Sequence, residues 1–185
     1  LSTNATTSTS GNFEYSASDW TLTPSSAVFS VGSDSNYNIT YANATTGLTV
    51  NQLALTLDTV NTDDKIYDAT NTATLNSITF GNTVGIDVVS FNTSGNTTTF
   101  DDVNVGVDKA VSISGGSLAG TDSGNYSLPS LSGVTSDGDI TTRAITITAD
   151  DQVQTYGFGS LGTTGFTITS GALQGSDAIS GVTLG

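Results

Sequence analysis

Two acidic pairs stand in similar settings: Asp63-Asp64 opens Asp63-Asp64-Lys65-Ile66-Tyr67, and Asp150-Asp151 opens Asp150-Asp151-Gln152-Val153-Gln154-Thr155-Tyr156. Carboxylate oxygens are hard ligands, so these four residues, or Asp137 and Asp139, are candidates for holding Ca²⁺ where successive domains join. Asp in turn-like stretches also caps local backbone and keeps a surface hydrated, and that use is the weightier reading.

Other chemistry has little to work with. There is no His, Cys or Met, which removes imidazole and thiolate metal sites, most nucleophile–base pairs and any Ser-His-Asp triad. A serine paired with Lys65 or Lys109 has no motif behind it. Glu14 is the only Glu, and the Asp residues sit mainly in turn-like stretches, so the two carboxylates about 5–10 Å apart that glycoside hydrolysis needs have no candidate. Gly115-Gly116-Ser117-Leu118-Ala119-Gly120 lacks the Gly-Lys-Ser/Thr ending of a phosphate cradle and reads as turns or bulges.

The charge balance narrows the partners. Seventeen acidic residues face three basic ones, for a net charge of −14, so nucleic acid and anionic lipid are repelled. Only 11% of residues are charged while 35% are hydrophobic, a composition that supports a core. No run reaches the roughly 18 apolar residues of a membrane span. Leu1-Ser2-Thr3-Asn4 does not read as a signal peptide, so an export signal is expected outside this segment.

Residues that alternate must be carried by strands. Leu53, Leu55 and Leu57 alternate with Ala54, Thr56 and Asp58, and Ile145 and Ile147 alternate with Ala144, Thr146 and Thr148. Trp20–Thr23, Tyr37–Tyr41, Val111–Ile113 and Phe166–Ile168 carry the same period between Gly, Asn, Asp and Ser clusters. No helical stripe is present, and the fold class is all-β.

The pattern also repeats. Thr9-Ser10-Gly11-Asn12 returns as Thr93-Ser94-Gly95-Asn96, Asn36-Tyr37 as Asn125-Tyr126, Ala54-Leu55-Thr56-Leu57 as Ala144-Ile145-Thr146-Ile147, and Tyr67 as Tyr156. Four anchors in one order, offset by about 84 to 90 residues, predict homologous units of about 90 residues, each the size of a small Ig-like β-sandwich. One unit, 53–142, is whole; 1–52 reads as the end of a unit and 143–185 as the beginning of the next. The segment is therefore expected to be one period of a longer tandem array, with Tyr67, Tyr156, Asn36, Tyr37, Asn125 and Tyr126 as structural residues at the junctions.

Asp64-Lys65-Ile66-Tyr67-Asp68-Ala69-Thr70, Thr99-Phe100 through Asn104-Val105-Gly106, Leu118-Ala119-Gly120 and Asp122-Ser123-Gly124-Asn125-Tyr126 together resemble the YDG repeat of large bacterial surface adhesins, over 53–142. Residues 144–157 resemble the opening of the related MBG repeat, and Asn36–Tyr41 with Gly47–Val50 resemble its closing strands. The family's Tyr-Asp-Gly is here Tyr67-Asp68-Ala69, so a position where Gly could serve a positive φ carries a Cβ. The resemblance implies a non-catalytic stalk or filament at the bacterial cell surface, with neighbouring repeats or copies of itself as partners and no cofactor beyond the Ca²⁺ weighed above. Two alternatives stay open: a module binding surface glycans, and a separate subunit that polymerises by strand complementation.

Overall fold

The computed structural model describes residues 1–183. It is all-β: short strands are joined by turns, with two single-turn 3-10 helices, Asp34–Asn36 and Ser123–Asn125, and no α-helix among the described residues. The chain forms two compact units. One holds Leu1–Thr59, Ser77–Asn96 and Gly115–Ser130; the other holds Val60–Asn76, Thr97–Ser114 and the residues from Leu131 onward. Thr56–Thr62 pairs with Leu75–Gly81 in a two-stranded sheet.

In the first unit, Trp20–Thr23 lies between Ser2–Thr3 and Ala44–Leu48 in an antiparallel sheet. Gly47 makes room there, because a Cβ at that position would stand 2.8 Å from Cγ of Leu22. Ser90–Asn92 pairs antiparallel with Ser117–Ala119. The turn before it needs both its glycines: Gly115 and Gly116 have positive φ, and a Cβ on Gly116 would meet the Phe91 ring at 2.4 Å. Tyr126–Ser127 pairs parallel with Leu53–Ala54. Leu55, Ile78 and Tyr126 are this unit's buried apolar side chains.

The second unit is built on a four-stranded antiparallel sheet in the order Val134–Thr135, Ala110–Ser114, Thr97–Phe100, Thr72–Ala73. Alternation along Ala110–Ser114 turns Val111 and Ile113 inward and Ser112 outward. Phe100 stands opposite Val111 in the ladder, and with Ile140 these are the fully buried large side chains. Ile140–Thr141 pairs parallel with Lys65–Ile66. Gly138 lets that closing segment pass, since a Cβ there would stand 2.1 Å from Oγ1 of Thr62 and 3.3 Å from the Phe100 ring. Thr146–Ala149 pairs antiparallel with Phe166–Ser170.

Two expectations from the alternating pattern are corrected. Tyr37–Tyr41 is not a strand: Tyr37 is extended, with φ −133° and ψ 144°, but a strand also needs a ladder, and no neighbouring strand is paired with it. Thr146–Ala149 is a strand, yet all four of its residues are exposed rather than half-buried. Among the described residues, every buried apolar side chain falls between Leu55 and Ile140.

That distribution predicts where stability resides. Phe100→Ala should cost about 3–5 kcal/mol by urea unfolding, whereas Tyr156→Ala, at a fully exposed side chain, should stay within about 0.5 kcal/mol of the parent.

Candidate functional site

The motif Lys65-Ile66-Tyr67-Asp68-Ala69-Thr70 forms a closed clamp. Lys65 Nζ lies 2.7 Å from Asp68 Oδ1 and donates to Thr70 O, Thr70 Oγ1 and Thr72 O. Asp68 Oδ1 also accepts from Thr70 N–H at 2.9 Å and Thr70 Oγ1 at 2.8 Å. Led by the Lys65 ammonium, these bonds bring the Asp68 carboxyl down to about 2. The ring of bonds spans Ala69, whose φ is +60°, so the position does take the left-handed backbone that suits glycine. Gly175 sits beside it: a Cβ there would come within 2.8 Å of the Ala69 methyl.

The acidic residues weighed as ion ligands take backbone and side-chain donors instead. Asp64 Oδ1 accepts from Asp139 N–H at 2.9 Å, Asp139 Oδ1 from Asp108 N–H at 2.9 Å, and Asp137 Oδ1 from Thr62 N–H at 2.8 Å. Asp63 Oδ1 accepts from Asn76 Nδ2, and Asp150 Oδ1 from Thr167 Oγ1; Asp151 is exposed. Among the described residues no three acidic side chains form a metal-ligand cluster. The Asp64–Asp139 bond flanks the parallel pair of Lys65–Ile66 and Ile140–Thr141, where Lys65 N–H donates to Asp139 O and Tyr67 N–H to Thr141 O. Tyr67 OH donates to Asp177 Oδ2 at 2.9 Å, which raises the phenol's pKa.

In the first unit, Asp122-Ser123-Gly124-Asn125-Tyr126 makes a second bracket. Asp122 is buried; its Oδ1 accepts from Thr9 N–H and its Oδ2 from Val88 N–H, both at 2.9 Å. These two backbone bonds bring its carboxyl to about 2. Asn125 Oδ1 accepts from Tyr15 N–H at 2.8 Å, and Gly124 O from Gln52 Nε2 at 2.9 Å. Tyr126 is 3% exposed; its hydroxyl accepts from Val84 N–H and donates to Asp87 Oδ2 at 2.8 Å. Asp87 Oδ1 takes Ser8 Oγ and Ser10 N–H, each at 3.0 Å. Thus the Thr9-Ser10 loop is held by two carboxylates, of which only Asp122 lies in a recognised motif; Asp87 carries no local signal.

Lys109 is the buried cation of the second unit. Its Nζ lies 2.8 Å from Asp102 Oδ1 and 2.9 Å from Asp101 Oδ1, and these two partners raise its pKa. It is a cation at neutral pH and unsuited to act as a general base. The run from Phe100 to Gly106 thereby supplies one core ring and the anionic side of this ion pair.

The junction residues are placed unequally. Asn125 and Tyr126 close one 3-10 turn, and Asn36 and Tyr37 close the other with nearly the same backbone. Yet Tyr37 is 63% exposed and stacks on Phe29 at 5.3 Å between ring centroids. Tyr67 is half-buried and hydrogen-bonded, whereas Tyr156 is fully exposed.

These brackets, on short strands, turns and a single 3-10 turn, define a chain whose polar residues are used to hold backbone in place. Residues 51–135 match the family model of the YDG domain, which supports the YDG reading of this stretch. No curated protein and no solved structure matches the chain.

Two outcomes test the brackets. Ala69→Gly should stabilise the fold by about 0.5–1 kcal/mol in denaturant titration, as relief of a left-handed Cβ worth about 1–2 kcal/mol outweighs the roughly 0.4–1 kcal/mol of chain entropy that glycine adds to the unfolded state. Asp68 and Asp122 both have lowered carboxyl pKa values, so the stability they contribute is whole above pH 4 and is lost as pH falls toward 2. Thermal melts should show Tm falling across that window. Asp122→Asn should flatten the fall, and at pH 7 it should lower Tm by several degrees because its amide N–H₂ faces a backbone donor.

Proposed function

We propose that this chain is a non-catalytic structural segment of an exported bacterial surface protein, an adhesin stalk or extracellular filament built from tandem β-sandwich repeats. The observation that carries this reading is the use of the carboxylates. Asp64, Asp68, Asp87, Asp122, Asp137 and Asp139 accept backbone N–H groups, so the most abundant charged group holds turns and loops. The YDG match over residues 51–135 and the acidic surface, with its net charge of −14, fit a spaced, hydrated array outside the cell.

One feature favours a second reading as a glycan-binding module. A cavity of about 230 Å³ in the second unit is lined by Tyr67, Val105, Arg143, Leu173 and Asp177 among others, an apolar floor with a few convergent polar groups. Immunogold labelling with antibodies to residues 53–142 separates the two. The structural reading expects regularly spaced decoration along filaments on unpermeabilised cells and is overturned by its absence. Saturable signal on a glycan array, lost in Arg143→Ala, would favour the cavity.

A further inference from the structure

In the second unit the closing stretch runs beside the opening stretch for much farther than their two-residue ladder. Lys65–Ile66 and Ile140–Thr141 are parallel, and bonds on both sides of that ladder carry the pairing from Val60 to Tyr67 and from Ser136 to Arg143. Before it, Asp137 N–H donates to Val60 O at 3.3 Å, Thr62 N–H to Asp137 Oδ1 at 2.8 Å, Thr62 Oγ1 to Ser136 Oγ at 3.0 Å and Asp139 N–H to Asp64 Oδ1 at 2.9 Å. Within and after it, Lys65 N–H donates to Asp139 O and Tyr67 N–H to Thr141 O, both at 2.9 Å, Thr141 Oγ1 to Lys65 O at 3.2 Å and Arg143 Nε–H to Tyr67 O at 2.7 Å. These eight bonds keep one register, and the five that use a side chain each span 74 to 76 residues.

The seam they form is fixed from within and from its far edge. Val60, Thr62, Ser136 and Ile140 are buried, so alternate residues of both stretches face the core and keep water from one side of it. On the far edge, Gly106 and Ile140 exchange both backbone bonds, Lys109 N–H donates to Gly138 O, and Ser136 N–H donates to Lys109 O. The closing stretch cannot slide along the seam without breaking bonds on both edges.

Parallel stretches meet tension differently from a hairpin. The chain leaves the opening stretch backward through Thr59 and the closing stretch forward through Ala144, so a pull from the two sides drives the stretches past one another and loads all eight bonds at once. In the antiparallel pair Thr97–Phe100 with Ala110–Ser114, a pull at Thr97 and Ser114 opens one bond at a time. A hydrogen bond loaded alone yields easily because water replaces it. A set loaded side by side yields only when most of it breaks together.

We propose that this seam is the element that bears tension along the chain. Every residue between Tyr67 and Ser136 lies behind it and carries no load until it breaks. A stalk or filament fixed at one end supplies such tension, and the proposal rests on that reading.

Single-molecule force spectroscopy on the full chain tests it. The chain has no cysteine, so introduced thiols alone place the handles. With Asp58→Cys and Ala144→Cys, both exposed and just outside the seam, pulling shears it. One high-force rupture is expected, followed by a gain in length of about 250–280 Å, the freed chain at about 3.3–3.6 Å per residue less its folded span. With Thr97→Cys and Ser114→Cys, both exposed, the hairpin unzips at a force several-fold lower at the same pulling speed. Asp64→Ala with Arg143→Ala removes two of the eight bonds at exposed side chains and should lower the rupture force by about a quarter, because forced unfolding follows the barrier that is loaded. Asp122→Asn, which loses stability away from the seam, should leave that force unchanged. A rupture force across the seam no greater than at the hairpin overturns the proposal. So does a loss of force in Asp122→Asn equal to that of the double variant, since resistance would then follow overall stability. If the seam fails under force while filament decoration holds, the stalk stands and this tension element does not; if decoration is absent while the seam resists, the element stands and its place in a stalk does not.

Discussion

A fold made of strands two to seven residues long leaves many backbone N–H groups outside any ladder, and satisfying them is the constraint on which the rest of this molecule depends. An unpaired buried donor costs as much as a lost hydrogen bond. Here the donors are met by aspartate. Asp122 takes Thr9 and Val88, Asp87 takes Ser10, Asp137 takes Thr62, and Asp64 takes Asp139. No buried side-chain nitrogen or oxygen among the described residues is left without a partner. The acidity of the chain is in this respect a consequence of its architecture, because a short carboxylate is the strongest acceptor that reaches a neighbouring turn.

Closure by parallel pairing follows from the same economy. Tyr126–Ser127 beside Leu53–Ala54 and Ile140–Thr141 beside Lys65–Ile66 are two-residue ladders, too short to be stable alone. They persist because side-chain bonds extend them: Gln52 to Gly124 O, Tyr126 OH to Asp87, and Asp139 N–H to Asp64. The Lys65–Asp68–Thr70 clamp works the same way, holding Ala69 at a φ of +60° that its Cβ disfavours. The tight bend is kept where the family's motif has glycine, at a cost that the clamp offsets.

Much of the architecture was legible because alternation has one physical cause, the pleat. Val111 and Ile113 inside with Ser112 outside could be read directly, as could the glycine turn at Gly115-Gly116, whereas Ala in place of the motif's Gly put the positive φ in doubt and only the structure shows that Ala69 takes it. The candidate site was legible only in part. Asp122 lies in a recognisable phrase, but its partners Thr9 and Val88 are 113 and 34 residues away. Asp87 has no local signature at all. Tyr37–Tyr41 shows the converse error: its alternation is sound, but pairing depends on a neighbour that periodicity does not report.

The amino-acid sequence by itself determined the strand-forming pattern, the repeat of the turn motif and the absence of thiol and imidazole chemistry, because each depends on residue type and short-range spacing. Only the tertiary structure decided which copy of each motif is buried. Tyr126 and Tyr37 each close a 3-10 turn in extended conformation, and one is in a core while the other faces solvent. The physical reason is that burial belongs to the surface a residue meets rather than to the residue.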